Sequence, residues 1–376
     1  MTDFNESINL TDYDVDAPFF GASDLLLTVK SFNLREIRKR YLKSKSRSKS
    51  GSVERREPAI GGLVSVNIED GQIISRKIIG KYTEARGIDV RSGKVAFSSE
   101  DEIYIFSGDT EKPTIINHPW LSYIHTVKFN TNADRLLVAS SGVDTLLEFD
   151  VETGECVWEW VAWEHGLQQG ENPETGESHF LTRDPNEADQ LKSQGKNVLL
   201  IRNPGEEKLP TAMRAAFMNS AEYERSDSVV ATFFHFGEVR RIDKSTGKME
   251  TIISGLEKPH GGMPYHSGYL ATDTAGGRVV QQDAAGMREF RFAGLPGKSE
   301  AVRDLEWLQT SHWNDEQTVT VDSNRTNLTF FNSSYRKRMH VQYNPDWAVQ
   351  DFIFVNSGLS SVIDKVQQWF AESVEA

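Results

Sequence analysis

Two histidines, two arginines, an asparagine and a glutamine hold the same place in a recurring strand pattern. Arg86 precedes Gly-Ile, His125 precedes Thr-Val, Asn219 precedes Ser-Ala, His260 precedes Gly-Gly, Arg303 precedes Asp-Leu and Gln350 precedes Asp-Phe. The intervals are 39, 94, 41, 43 and 47 residues. The long one shortens to about 44 once an insertion of roughly 50 residues is set aside, a propeller-like repeat length. Arginine offers planar, permanently charged donors suited to sulfate, phosphate or carboxylate. Histidine near neutral pH serves as proton shuttle, nucleophile or metal ligand. With no Asp or Glu at this place, an anion fits better than a divalent cation, because calcium would need several carboxylates. His125 and His260 are the candidate catalytic residues, and Arg86, Asn219, Arg303 and Gln350 the candidate ligand-binding residues. The plainer alternative stays open: a wet channel has a polar lining whether or not it binds anything.

Further polar residues arrive at the same level from the ends of second strands: Ser98, Ser140, His235, Asp273 and Asp322. Asp273 could orient His260, and Asp322 could orient Arg303, although turn capping explains an Asp at a strand end equally well. Arg214 stands just before the fourth repeat, and His235 fits a packing role as well as a ligand-binding one. Trp158, Trp160 and Trp163 could stack on an aromatic ligand, but their spacing suits packing between sheets better. No phosphate loop, dinucleotide fingerprint, zinc-protease helix, serine-hydrolase elbow or calcium loop is present. No cofactor is implied, and whether a metal sits in the channel is left open.

The elements that must position these residues are short alternating strands separated by turn signals such as Glu69-Asp70-Gly71, Thr153-Gly154 and Thr246-Gly247. Five units of four strands read over 86–117, 125–160, 218–253, 260–292 and 303–342. Near the N-terminus, SDLLLTVK, GGLVSVNIEDG and QIISRKI read as second, third and fourth strands with no first. Near the C-terminus, AVQDFIFV at 348–355 reads as a first strand with no followers. Together they complete a sixth unit and close the ring, which removes the open edges of the sheet array. The expected architecture is all-β: a six-bladed β-propeller over 1–376 as one domain, closed by its C-terminal strand. An amphipathic C-terminal helix follows at 360–376, with Val362, Val366, Trp369 and Phe370 on one face. Insertions at 31–58 and 163–212 interrupt the period. The second reads as loop-forming, with one short strand near 198–201. Strand alternation carries both insertions to the face where blades are joined, the face of the candidate ring.

Charge sets further bounds. The 376 residues carry a formal net charge of −13, which argues against nucleic acid as a partner. Residues 35–56 are the exception, with ten Lys/Arg against two Glu. This stretch reads either as a solvated loop or as a flap that draws in an anionic ligand or an acidic protein partner. The acidic N-terminus lacks a secretory pattern, no run of 18 apolar residues is present, and Cys156 is the only cysteine. Those features point to a cytoplasmic protein without integral membrane association or disulfides.

A histidine at the entry strand followed by DVETGECVWEW, together with MNSAEY and LEKPHGG, resembles the repeats of arylsulfotransferase-type and related quinoprotein-like propellers. That resemblance implies a six-bladed propeller whose histidine at the channel mouth moves a sulfuryl group between phenols. It makes His125 or His260 the nucleophile and Arg86 and Arg303 the clamp on the sulfate oxygens. Asn219 departs from the family's histidine in the fourth repeat, as does the absence of an export signal. The expected function is a propeller enzyme that binds a small anionic or aromatic ligand and does group-transfer or lytic chemistry. The alternative is a non-catalytic platform for a protein or peptide.

Overall fold

The computed structural model describes residues 4–44, 51–54, 56–314 and 317–375. Within them six sheets each contain a run of four antiparallel strands. The first sheet runs outward as Ala348–Phe354, Ser23–Ser31, Ile60–Glu69 and Gln72–Thr83. The remaining five follow in chain order over 88–117, 124–161, 218–253, 260–291 and 308–342. The innermost strand of each sheet touches the innermost strands of the sheets before and after it, and Ala348–Phe354 closes the circle between the last and the second. The chain is a β-propeller.

Period-2 alternation explains why the sheets stack, since alternate side chains face opposite neighbours. On Ser23–Ser31, Leu25, Leu27 and Val29 are buried against Val319, Val321, Leu328 and Phe330 of the sixth sheet. The intervening Leu26 packs the other way with Leu63, Val95 and Phe97. Closure is written into the register: Asp351 pairs with Thr28, Phe352 with Leu27 and Ile353 with Leu26. The C-terminal helix, Ser360–Glu375, lays Val362, Val366 and Phe370 on the first and second sheets. Gly80 permits this, because a Cβ there would sit 2.0 Å from the Phe370 ring.

Three features go beyond the sequence reading. The N-terminal segment adds a strand to each of two outer edges. Glu6–Asn9 runs parallel to Gly286–Arg291, and Asp14–Val15 runs parallel to Lys337–Gln342. The insertion 163–212 is folded rather than loop-like. It contains a three-stranded sheet of Gln169–Glu171, Ser178–Thr182 and Val198–Leu200, with a helix over Pro185–Ser193. Asp184 caps that helix through Asn186 N, and Pro185 opens it, a start signal visible in the sequence. The basic insertion is not simply a solvated loop either: Leu34–Ser44 is a helix.

Deleting residues 345–376 removes both the closing strand and the helix. We expect the truncated chain to lose cooperative thermal unfolding by circular dichroism, because the first sheet would keep an open inner edge. A truncation that still melts in one sharp transition would contradict closure by this strand.

Candidate ligand-binding site at the mouth of the channel

Three of the ring residues sit where the inner strands bulge. His125 is the extra residue between Ile124 and Thr126, Asn219 between Met218 and Ser220, and Gln350 between Val349 and Asp351. A bulge re-aims a side chain out of the pleat. Two residues earlier, Glu84, Tyr123, Phe217 and Lys258 all have positive φ, at 52°, 54°, 49° and 59°. This is a costly conformation for residues with side chains, and the same local turn is repeated in four consecutive blades. Asp144 holds one of these turns: its carboxylate accepts from Ala215 N and Ala216 N at 3.0 Å, from Phe217 N at 2.6 Å and from Trp163 Nε1 at 3.3 Å.

Arg86, His125, His260 and Gln350 come together on the floor of one cavity of about 470 Å³. Arg86 Nη1 lies 3.4 Å from His125 Nε2 and donates to Gln350 Oε1 at 3.4 Å. The His125 and His260 rings are 5.9 Å apart. Asn219 is buried at the same level, with Nδ2 donating to Pro259 O at 2.8 Å and Oδ1 without a partner among the described residues. Arg303 does not belong to the ring. It is exposed and paired with Glu300 at 3.0 Å. The sixth inner strand is Leu308–Asn314, and its bulge spans Gln309 and Thr310. Gln309, which lines the cavity, takes the place assigned to Arg303.

The second-strand residues also sort differently from expectation. Asp273 does not orient His260; it binds Arg278 Nε at 2.7 Å and accepts from Glu257 N at 2.6 Å. His260 Nδ1 instead lies 2.7 Å from Thr274 Oγ1. Asp322 pairs with Arg325 at 2.8 Å rather than with Arg303. Ser98 Oγ accepts from Gly87 N, and Ser140 Oγ donates to Trp120 O. Arg214 is buried over Tyr123, 4.5 Å from its ring centroid, and His235 Nδ1 sits 3.1 Å from Arg214 O. The three tryptophans are structural: their indole N–H groups donate to Lys244 O, Gly247 O and Asp144 Oδ2.

Both insertions roof this cavity. Leu34, Ile37, Arg38, Arg40, Tyr41 and Lys43 line it from the helix, Arg56 from the segment that follows, and Glu174 and Thr211 from the second insertion. Arg38 Nη2 anchors the helix by donating to Ser323 O at 2.7 Å, and Tyr41 meets Trp307 edge-on at 4.5 Å. Lys45, Arg47 and Lys49 of the basic stretch lie outside the described residues. The sequence reading missed Tyr123, Phe217, Phe234 and Trp307, which form an aromatic wall, and Lys30. Lys30 is the penultimate residue of the second strand of the first sheet, one place before the strand end from which Ser98 and Ser140 were read.

The electrostatics follow from burial. Glu84, fully buried, receives Arg86 Nη2 at 2.8 Å and Arg56 Nη2 at 2.7 Å. Burial pushes its carboxyl up, but the charges of Arg86, Lys30 and Arg56 outweigh it and hold the group well below the usual carboxylate range. Burial and then Arg86 hold His125 well below the usual histidine value. Burial alone accounts for most of the fall of His260 to about 3. Both imidazoles are therefore neutral at pH 7. Arginine has no acceptor, so the contact with Arg86 makes His125 Nε2 the acceptor and places the proton on Nδ1. That Nδ1 is buried and has no partner among the described residues. A buried donor left unpaired is costly. Among the described residues no group of three His, Cys, Asp or Glu is placed to hold a metal.

No family model and no curated protein matches the chain. Solved structures do resemble it. A chain of a nidogen/laminin complex superposes with a TM-score of 0.51 at 9% identity, covering 90% of this chain and 99% of that one. A protein of unknown function from Bacteroides caccae gives 0.52 at 11% identity, covering 89% and 99%. These likenesses support the propeller fold. A streptogramin B lyase covers 69% of this chain and 83% of its own at 9% identity and a TM-score of 0.42. Among the described residues, no helix is long and apolar enough to cross a membrane.

Between pH 6.5 and about 3 the unfolded chain binds a proton at position 260 that the folded chain refuses. Stability must therefore fall as pH drops through that window. Replacing His260 with Gln should flatten the decline between pH 6.5 and 4.5 in urea-unfolding midpoints. An unchanged slope would show that His260 is not held neutral by burial.

Proposed function

We propose that the roofed cavity binds a small ligand with an anionic group and an aromatic or apolar body, and that the two neutral histidines act on it. The observation that carries this reading is the unpaired Nδ1–H of His125, whose Nε2 meets Arg86, on the floor of a cavity walled by aromatic rings. Arg86 and His125 supply donors for the anion, in the manner of a preorganised clamp. His260, neutral at pH 7 with Nδ1 tied to Thr274, is the base or nucleophile of a group-transfer or lytic reaction. In the group-transfer version, the resemblance to arylsulfotransferase-type propellers makes a sulfuryl group the cargo, with Arg86 rather than Arg303 as its clamp. A protein-binding platform would call for an open channel mouth, and the roof helix argues against that use of this face.

Sulfate titrated calorimetrically is the direct probe. Arg86→Ala or His125→Ala should weaken sulfate binding by about tenfold or more, which is about 1.4 kcal/mol. His125→Ala should leave the melting midpoint close to that of the parent chain. Equal sulfate affinity in the parent and both variants would exclude the ring as the anion site.

A further inference from the structure

Lys30 is the one cationic side chain of the cavity floor that the proposed reading leaves unused. It is the penultimate residue of the strand Ser23–Ser31 and lines the cavity with a half-buried side chain. Among the described residues its nitrogen has no hydrogen-bond or ion-pair partner. Arg86 and Arg56, the nearest cations of floor and roof, both pair with Glu84. Lys30 lines the same cavity as both histidines.

We propose that Lys30 is an amine nucleophile that forms an imine with the carbonyl carbon of a 2-oxo acid bearing an aromatic side chain. The inference rests on the anion-binding reading of the same cavity and adds the ligand's class. The carboxylate of such an acid meets Arg86 and the His125 Nδ1–H. The aryl group lies along Tyr123, Phe217, Phe234 and Trp307. The carbonyl faces the amine. The neutral nitrogen adds to the carbonyl carbon, and the proton the nitrogen then sheds passes through a neutral histidine to the carbonyl oxygen to give a neutral carbinolamine. A second proton transfer expels that oxygen as water and leaves the protonated imine. No oxidant or reductant enters, and a neutral histidine can carry each proton.

The chemistry needs a free amine. An ordinary lysine, with a pKa of about 10.4, is roughly 0.1% neutral amine at pH 7.4. Burial first, then the charges of Arg86, Arg56 and Arg40, lower the proton affinity of Lys30 well below that, against the opposing pull of Glu84. A lysine desolvated next to other cations is activated in this way.

The test is reductive trapping on the full chain. Benzoylformate and cyanoborohydride are added at pH 7.4, and adducts are mapped by peptide mass spectrometry with and without sulfate. Lys30 should be labelled at least about tenfold faster than exposed lysines such as Lys77 and Lys112. Sulfate should slow labelling at Lys30 alone. Lys30→Arg should abolish that fast adduct while still binding sulfate. If Lys30 is labelled no faster than exposed lysines while sulfate binds normally, the imine proposal is overturned and the anion site stands. Fast labelling of Lys30 in a chain that binds no sulfate would support the amine and contradict the anion clamp.

Discussion

The buried carboxylate of Glu84 is the interaction on which the site depends. It accepts from Arg86 on the channel floor, from Arg56 in the insertion above it, and from Ala59 N at the insertion's return to the sheet. Floor and roof are thus tied through one residue, itself in a left-handed turn. A charge buried this deeply is tolerable only while it is paired, and breaking such a pair typically costs about 3–5 kcal/mol. The pairing also explains why Arg86 can sit beside two histidines in a closed space. Glu84 balances the guanidiniums, while burial keeps the imidazoles neutral.

Further along the inner strands the channel has a different character. Lys128 lies 3.8 Å from Asp89, and Asp351 is bonded to His312. Burial raises Glu222 to about 7. Here cations and carboxylates face one another. At the mouth six cationic side chains, Lys30, Arg38, Arg40, Lys43, Arg56 and Arg86, line the cavity against Glu54 and Glu174. The excess positive charge is therefore confined to the end of the channel that the insertions cover.

Much of this was legible in the sequence for a simple reason. Alternating strands, turn signals and a repeat near 40 residues are properties of each unit, so the closing strand at 348–354 and the places of Arg86, His125, His260 and Gln350 could be read one blade at a time. The sixth blade misled because Arg303-Asp-Leu imitates the entry pattern, whereas the true strand LQTSHWN is polar and carries a longer bulge. The roof helix was hidden by its charge, although Leu34, Ile37 and Tyr41 have helical spacing. Asp273 and Asp322 were assigned to the wrong partners because pairing with Arg278 and Arg325 is set by neighbouring strands and turns, which residue type does not reveal. Lys30 was passed over because LLLTVKS reads as the tail of a core strand.

The central claim is that the cavity floor, with Glu84 already paired, is an anion site built around Arg86 and the His125 Nδ1–H. Crystals soaked in selenate and measured at the selenium edge test this most directly. The account predicts an anomalous peak inside the cavity, within hydrogen-bond reach of Arg86 and His125 Nδ1. Selenium peaks confined to the outer surface, with the cavity floor empty at the same concentration, would contradict it.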